Sequence, residues 1–171
     1  MGAYRDATAL GQARLQPADI SLVRRPSSRP GGSINVEQAL GDDLGFFLRA
    51  SLADGAKESF EFTDIDRSLQ AGLSWKGASW GRKDDTFGLA MEDAALSRSG
   101  RNFLAAGGLG ILVGDGRLVH ANDERIAEAY YNAALLDAFT VTLDYQFIAN
   151  PAYNADRGPV SVLGLRLHTQ F

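Results

Sequence analysis

From residue 33 onward the chain is built of short runs in which apolar and polar residues alternate. Ile34 and Val36 alternate with Asn35 and Glu37, and Phe46, Leu48, Ala50 and Leu52 with Phe47, Arg49 and Ser51. Leu69, Ala71, Leu73 and Trp75 are interleaved with Gln70, Gly72, Ser74 and Lys76, and Phe87, Leu89 and Met91 with Gly88, Ala90 and Glu92. Val141, Leu143, Tyr145 and Phe147 alternate with Thr140, Thr142, Asp144 and Gln146. The final run sets Leu163, Leu165, Leu167 and Phe171 against Gly164, Arg166, His168 and Gln170, and stops on the aromatic. Successive side chains of a strand point to opposite faces, so each run predicts a strand with one greasy and one polar face.

The connectors alternate in length. Leu40–Leu44 and Leu135–Ala138 are short and Lys76–Asp85 fairly short, whereas Ala53–Arg67 is longer, Ala94–Asp123 long and Asn150–Gly158 medium. Short turns on one rim and long loops on the other are the build of an outer-membrane β-barrel, with lipid outside and water inside. A soluble sandwich has connections of more even length. The alternation puts the C-terminus on the short-turn rim. Residues 1–32 read as loop, closed by the breaker Ser27–Gly32, and 33–171 as strands and loops.

One segment is ambiguous. Glu124–Leu136 is rich in Ala and Glu and reads as an amphipathic helix on propensity, while connector parity makes it a strand. A short helix is expected within Ala94–Ala106. Leu109–Val113 and Leu118–His120 flank Gly114–Gly116, a hairpin-turn signal.

Composition narrows the class. The length suits one domain, and 45% hydrophobic with 22% charged residues suits a folded chain. A mean hydropathy of -0.14 disfavours a helical membrane protein but not a barrel, whose strands are half polar. Net charge is -4 and no basic stripe carries interleaved aromatics, so no nucleic-acid partner is expected. Arg24, Arg25 and Arg29 read as loop surface. The absence of cysteine excludes disulfides and thiolate metal sites. Met1–Asp6 has neither the basic nor the apolar region of a signal peptide.

Candidate chemistry is sparse. Gly107–Gly110 fails the spacing of a nucleotide loop, since Val113 stands at the third glycine position counted from Gly108. His120 and His168 stand apart without metal-ligand spacing. Ser97 and Ser99 lack an elbow motif, and Asp64, Asp66, Asp84 and Asp85 read as turn residues. No nucleophile–base set suggests an enzyme. The useful constellation is the polar parity itself. It sends Glu37, Arg49, Ser51, Gln70, Lys76, Glu92, Asp144, Gln146, Arg166, His168 and Gln170 to one face, joined by Glu128, Tyr130 and Asn132 if Glu124–Leu136 is a strand. Arg and carboxylate groups there can hydrogen-bond sugar hydroxyls, though any water-filled pore would be lined alike. On the other parity Trp75, Tyr131, Tyr145 and Phe171 suit the aromatic girdles of a membrane interface, or else a soluble core.

Several stretches are distinctive: Phe62-Thr-Asp-Ile-Asp-Arg-Ser68, Leu104-Ala-Ala-Gly-Gly-Leu-Gly110 with Gly114-Asp-Gly116, and Glu128-Ala-Tyr-Tyr131. Longest is Asp144-Tyr-Gln-Phe-Ile-Ala-Asn-Pro-Ala-Tyr-Asn-Ala-Asp-Arg-Gly-Pro-Val160, followed by Arg166-Leu-His168. With these the chain resembles the carbohydrate-selective porin family (OprB-like), and matches only the C-terminal part of a family member. The resemblance implies an all-β fold: an antiparallel transmembrane barrel of roughly sixteen strands, of which this chain supplies a partial barrel of about seven, with one long helix- or hairpin-containing loop. It also favours the strand reading of Glu124–Leu136. It implies passive sugar diffusion through the outer membrane of a Gram-negative cell, without a cofactor or enzymatic step. Its partners would be sugars, outer-membrane lipid and, through the terminal Phe171, the barrel-assembly machinery. The substrate-path candidates are Glu37, Arg49, Gln70, Glu92, Glu128, Asp144, Gln146, Arg166 and His168. A channel for another solute, such as a divalent cation, and a soluble β-rich binding module are the alternatives.

Overall fold

The computed structural model describes residues 1–60, 63–111 and 117–170. Seven strands form one antiparallel sheet in simple chain order: β1 (Gly31–Ala39), β2 (Leu44–Ala53), β3 (Arg67–Gly77), β4 (Arg82–Ala95), β5 (Glu124–Leu136), β6 (Phe139–Ala149) and β7 (Val160–Thr169). Each strand pairs with its sequence neighbours, and among the described residues β1 and β7 pair on one side only. The strands run from 9 to 14 residues, enough to cross a bilayer core at a tilt. No helix among the described residues is long and apolar enough to do so.

The alternation of connectors is real. Residues 40–43, 78–81 and 137–138 link strands on one rim, and 54–66, 96–123 and 150–159 on the other. Glu124–Leu136 is a strand, paired along most of its length with β4 and β6. Neighbouring strands on both sides override its helix propensity, which is a weak prior.

Residues 1–32 are not simply loop. Tyr4–Arg14 is a helix, α1, followed by a short 3-10 turn at Ile20–Val23. Asp6 in its first turn and Arg14 in its last complement the helix dipole. Its end is closed by Leu15 N–H donating to the Gln12 carbonyl and Gln16 N–H to the Gly11 carbonyl. The second helix, α2 (Arg98–Ala105), lies within the expected span. Its cap is Ser97, whose Oγ accepts from Gly100 N–H at 2.9 Å. Leu109–Ile111 and Leu118–His120 are not strands. Instead Leu118 is buried beneath α2, its N–H bonded to the Leu104 carbonyl. The proposed turn Gly114–Gly116 lies outside the described residues.

The buried core does not lie between layers of sheet. It sits at the long-loop rim, where Tyr4, Ala7 and Ala18 from the N-terminal segment meet Phe103 and Leu104 of α2, with Leu96, Leu118 and Tyr153. The Tyr4 and Phe103 ring centroids are 5.0 Å apart. Ala94, the strand residue in this cluster, has the parity of the polar face, so the cap folds over that side of the rim.

The arginines read as loop surface fasten this cap. Arg24 pairs with Glu58 at 2.8 Å, and Arg29 reaches the buried Asp66, which also accepts the Ser97 N–H at 2.6 Å. Asp66 is therefore an anchor rather than a turn residue. So is Asp85, which lies buried in β4 and accepts from Arg82, Tyr131 Oη and the Ala134 N–H.

Candidate functional site

Directly paired residues of an antiparallel sheet share a face, so the register assigns every strand residue a side. One row runs Arg49–Gln70–Glu92 across β2, β3 and β4. The next runs Glu37–Phe47–Gly72–Ala90–Glu128–Gln146 from β1 to β6. Then come Ser74–Gly88–Tyr130–Asp144–Gly164 and Thr86–Asn132–Thr142–Arg166, and finally Thr140–His168. All nine candidates named from the sequence, Glu37, Arg49, Gln70, Glu92, Glu128, Asp144, Gln146, Arg166 and His168, fall on this one face.

The opposite face is continuously apolar and exposed. It carries Ile34, Val36, Leu52, Leu69, Leu73, Trp75, Phe87, Leu89, Met91, Leu143, Phe147, Leu163, Leu165 and Leu167. Leu163 is 83% exposed and Ile34 68%. Fully burying an exposed side chain of this kind is worth about 1.5–3 kcal/mol, and a belt of this extent has no place on a soluble monomer. Its margins are marked. Towards the long-loop rim Asp93 and Arg125 pair across strands at 2.9 Å, with Arg67 bonded to Asp123 beyond. At the short-turn rim Trp75 and Trp80 stack edge-on at 5.5 Å, and Trp80 Nε1 donates to Tyr131 Oη at 3.1 Å. Aromatic residues with one wet end suit a membrane interface. Tyr145 shares this face and is bonded to Ser161 near the long-loop end of β7. Phe171 lies outside the described residues.

The polar face has two groups. On β1 and β2, Arg49 donates to Glu37 at 3.2 Å and to Asn35 at 3.1 Å, and its guanidinium stands 5.1 Å over the Phe47 ring. On β5, β6 and β7, Glu128, Tyr130, Asn132, Thr142, Asp144 and Arg166 line a groove of about 460 Å³. The fold thus brings Glu128, Asp144 and Arg166 together and keeps Glu37 and Arg49 apart from them. His168 stands towards the short-turn end of β7. His120 is on the long-loop rim, against Asp156 at 2.9 Å. Among the described residues, no cluster of three or more His, Asp or Glu has metal-site geometry.

The polar-face constellation drawn from the sequence left out Phe47 and Thr142, which the register places on that face. It also missed the glycines that shape it. A Cβ on Gly88 would meet the Tyr130 ring at 2.1 Å, and one on Gly72 the Phe47 ring at 2.3 Å. Each aromatic ring therefore occupies the space over a glycine of the neighbouring strand that a side chain would fill. Nothing in the sequence flags these pairs until the register is known.

No curated protein sequence matches the chain. Among solved structures it is similar to OprB of Pseudomonas putida in its high-pH form, with a TM-score of 0.60 and 23% identity. That likeness covers 75% of this chain and 30% of that one, so the chain spans less than a third of its structural neighbour. The likeness shows the fold: a segment of a porin-type sheet. The family model for the carbohydrate-selective porin, OprB family, matches residues 2–171. The chain belongs to that family.

Proposed function

We propose that this chain forms part of the wall of a passive carbohydrate channel in the outer membrane. The observation that carries the reading is the division of one sheet into an exposed apolar belt and a face holding carboxylates, amides and guanidinium groups in adjacent rows. A closed barrel turns such a sheet outward to lipid and inward to water. The free edges of β1 and β7 are closed by strands outside these 171 residues, because an unpaired edge in lipid costs several kcal/mol per unsatisfied group.

Sugars pass down their gradient. Each hydroxyl exchanges water for hydrogen bonds to Glu37, Arg49, Gln70, Glu92, Glu128, Asp144, Gln146, Arg166 and His168, at little net gain, so release stays fast. No catalytic step is assigned. Phe171, which continues the apolar parity of Leu163, Leu165 and Leu167 in the sequence, serves the assembly machinery. The test is sugar flux in liposomes. The full-length porin carrying this segment passes monosaccharides, and the isolated segment does not. A porin that passes ions but no sugar overturns the reading.

One observation favours a second reading, a cation-preferring pore. Arg49 is neutralised by Glu37, while Glu128 and Asp144 share the groove with Arg166 and, like Glu92, make no ion pair among the described residues. Reversal potentials decide how far charge, rather than sugar shape, selects the solute.

A further inference from the structure

The polar face carries two aromatic rings seated on glycines, and they are not equivalent. The Phe47 ring rests on Gly72 and is overlain by the Arg49 guanidinium, which Glu37 and Asn35 hold in place. The Tyr130 ring rests on Gly88, and its free side opens on the groove shared by Glu128, Asn132, Thr142, Asp144 and Arg166. Among the described residues no second ring or cation covers it.

The next residue in the same row adds a hydrogen-bonding edge. Asp144 stands between Tyr130 and Gly164. A Cβ on Gly164 would come within 3.4 Å of Asp144 Oδ2, so the glycine keeps that side of the carboxylate clear. Gln146 donates to Oδ2 at a long 3.3 Å, and Oδ1 is shielded from solvent with no donor at all. A shielded acceptor without a donor is costly, and a small shift of the side chain would offer it to a hydroxyl in the groove.

We propose that Tyr130 and Asp144 form a pyranose-binding subsite on the channel wall. The apolar face of one sugar ring stacks on Tyr130, and its hydroxyls donate to Asp144 and Glu128 and accept from Arg166. Flat aromatic surface with a few placed polar groups is the usual make-up of a small-ligand site, and about 460 Å³ lies in the usual size range. Ring and carboxylate are both needed. Stacking alone accepts any flat apolar solute, and carboxylates alone hold water as well as sugar. The proposal rests on the carbohydrate-channel reading and identifies where that channel holds its solute longest.

The test is glucose-induced block of single-channel current in the full-length porin. Tyr130→Ala and the bulk-preserving Tyr130→Leu both weaken block about tenfold, the equivalent of about 1.4 kcal/mol. Tyr130→Phe stays within about threefold of the parent, Phe47→Ala retains block, and Asp144→Asn weakens it. If the parent is blocked but both Tyr130→Ala and Tyr130→Leu are blocked equally well, or if Phe47→Ala loses block as they do, the subsite is wrong and the channel reading stands. If the parent conducts ions yet neither passes nor responds to sugar, the channel reading fails and the subsite with it.

Discussion

Arg29 holds Asp66 through a charged hydrogen bond of 2.5 Å, and both side chains are largely buried. The pair ties the entry to β1 to the loop before β3. Asp66 passes the constraint to α2 through the Ser97 N–H, and Ser97 Oγ donates in turn to the Gly55 carbonyl. Removing Arg29 leaves a buried carboxylate with one backbone donor. Arg29→Ala is expected to destabilise the cap by about 3 kcal/mol, the lower end for a broken buried pair. Limited proteolysis checks it: cleavage within residues 1–30 accelerates while the strands stay protected. Unchanged cleavage would show that the N-terminal segment is held elsewhere.

A second anchor lies at the opposite rim. Tyr131 Oη donates to the buried Asp85 at 2.5 Å and accepts from Trp80. Tyr131→Phe removes both bonds with little change of shape and is expected to cost about 2 kcal/mol, since one of them goes to a carboxylate. Asp85→Ala should lower the unfolding midpoint further, since it also orphans the Ala134 N–H. Urea unfolding in micelles reads the order: parent, then Tyr131→Phe, then Asp85→Ala.

The cap should respond to pH at both extremes. Burial pushes Glu58 up, but Arg24 and the Gly2 N–H outweigh it and hold the carboxyl below its ordinary value. Its contribution is therefore present above about pH 4.3, the ordinary glutamate value, and is lost as pH falls through the depressed value. Burial, then the charge of Glu124, pushes Tyr153 up to about 12. Its contribution is intact below about pH 10 and is lost as pH rises towards 12. Amide exchange of α1 against pH checks the acid limb, and Glu58→Gln should flatten it.

On the channel reading, charge on the polar face sets ion preference. Glu37 is matched by Arg49, which leaves Glu92, Glu128 and Asp144 in excess over Arg166 and Lys76. The pore is expected to be mildly cation-selective. Glu92→Gln combined with Glu128→Gln should move the reversal potential towards zero in a salt gradient, and Arg166→Ala should move it the other way. The same shift from Glu37→Gln alone would argue against that pairing.

Much of the sheet was legible because period-two alternation is strong wherever one face meets apolar surroundings and the other water. The strands, their order along the chain and the common face of the nine candidates follow from that one physical cause. Elsewhere the signal fails for identifiable reasons. The buried side of α1 is Tyr4, Ala7 and Gly11, and small residues leave little hydrophobic periodicity. Glu124–Leu136 offers alanines to the apolar face, so helix propensity masked a strand held by two neighbours. Asp85 and Asp66 looked like turn residues because their partners Tyr131 and Ser97 are distant in sequence. The Tyr130–Gly88 seat needs the register of β4 and β5 before it exists as a pattern.

The chain contains no cysteine, so cysteines placed in it, in a full-length porin cleared of any cysteine elsewhere, can report each face separately in proteoliposomes. Glu128→Cys and Gln146→Cys are expected to react with a charged, water-soluble thiol reagent and to lose conductance as they do. Leu143→Cys and Leu165→Cys should resist that reagent and react only with a lipid-soluble one. Equal labelling of Leu165→Cys and Glu128→Cys by the water-soluble reagent, without a conductance change at either, would contradict a sheet that separates lipid from a sugar path.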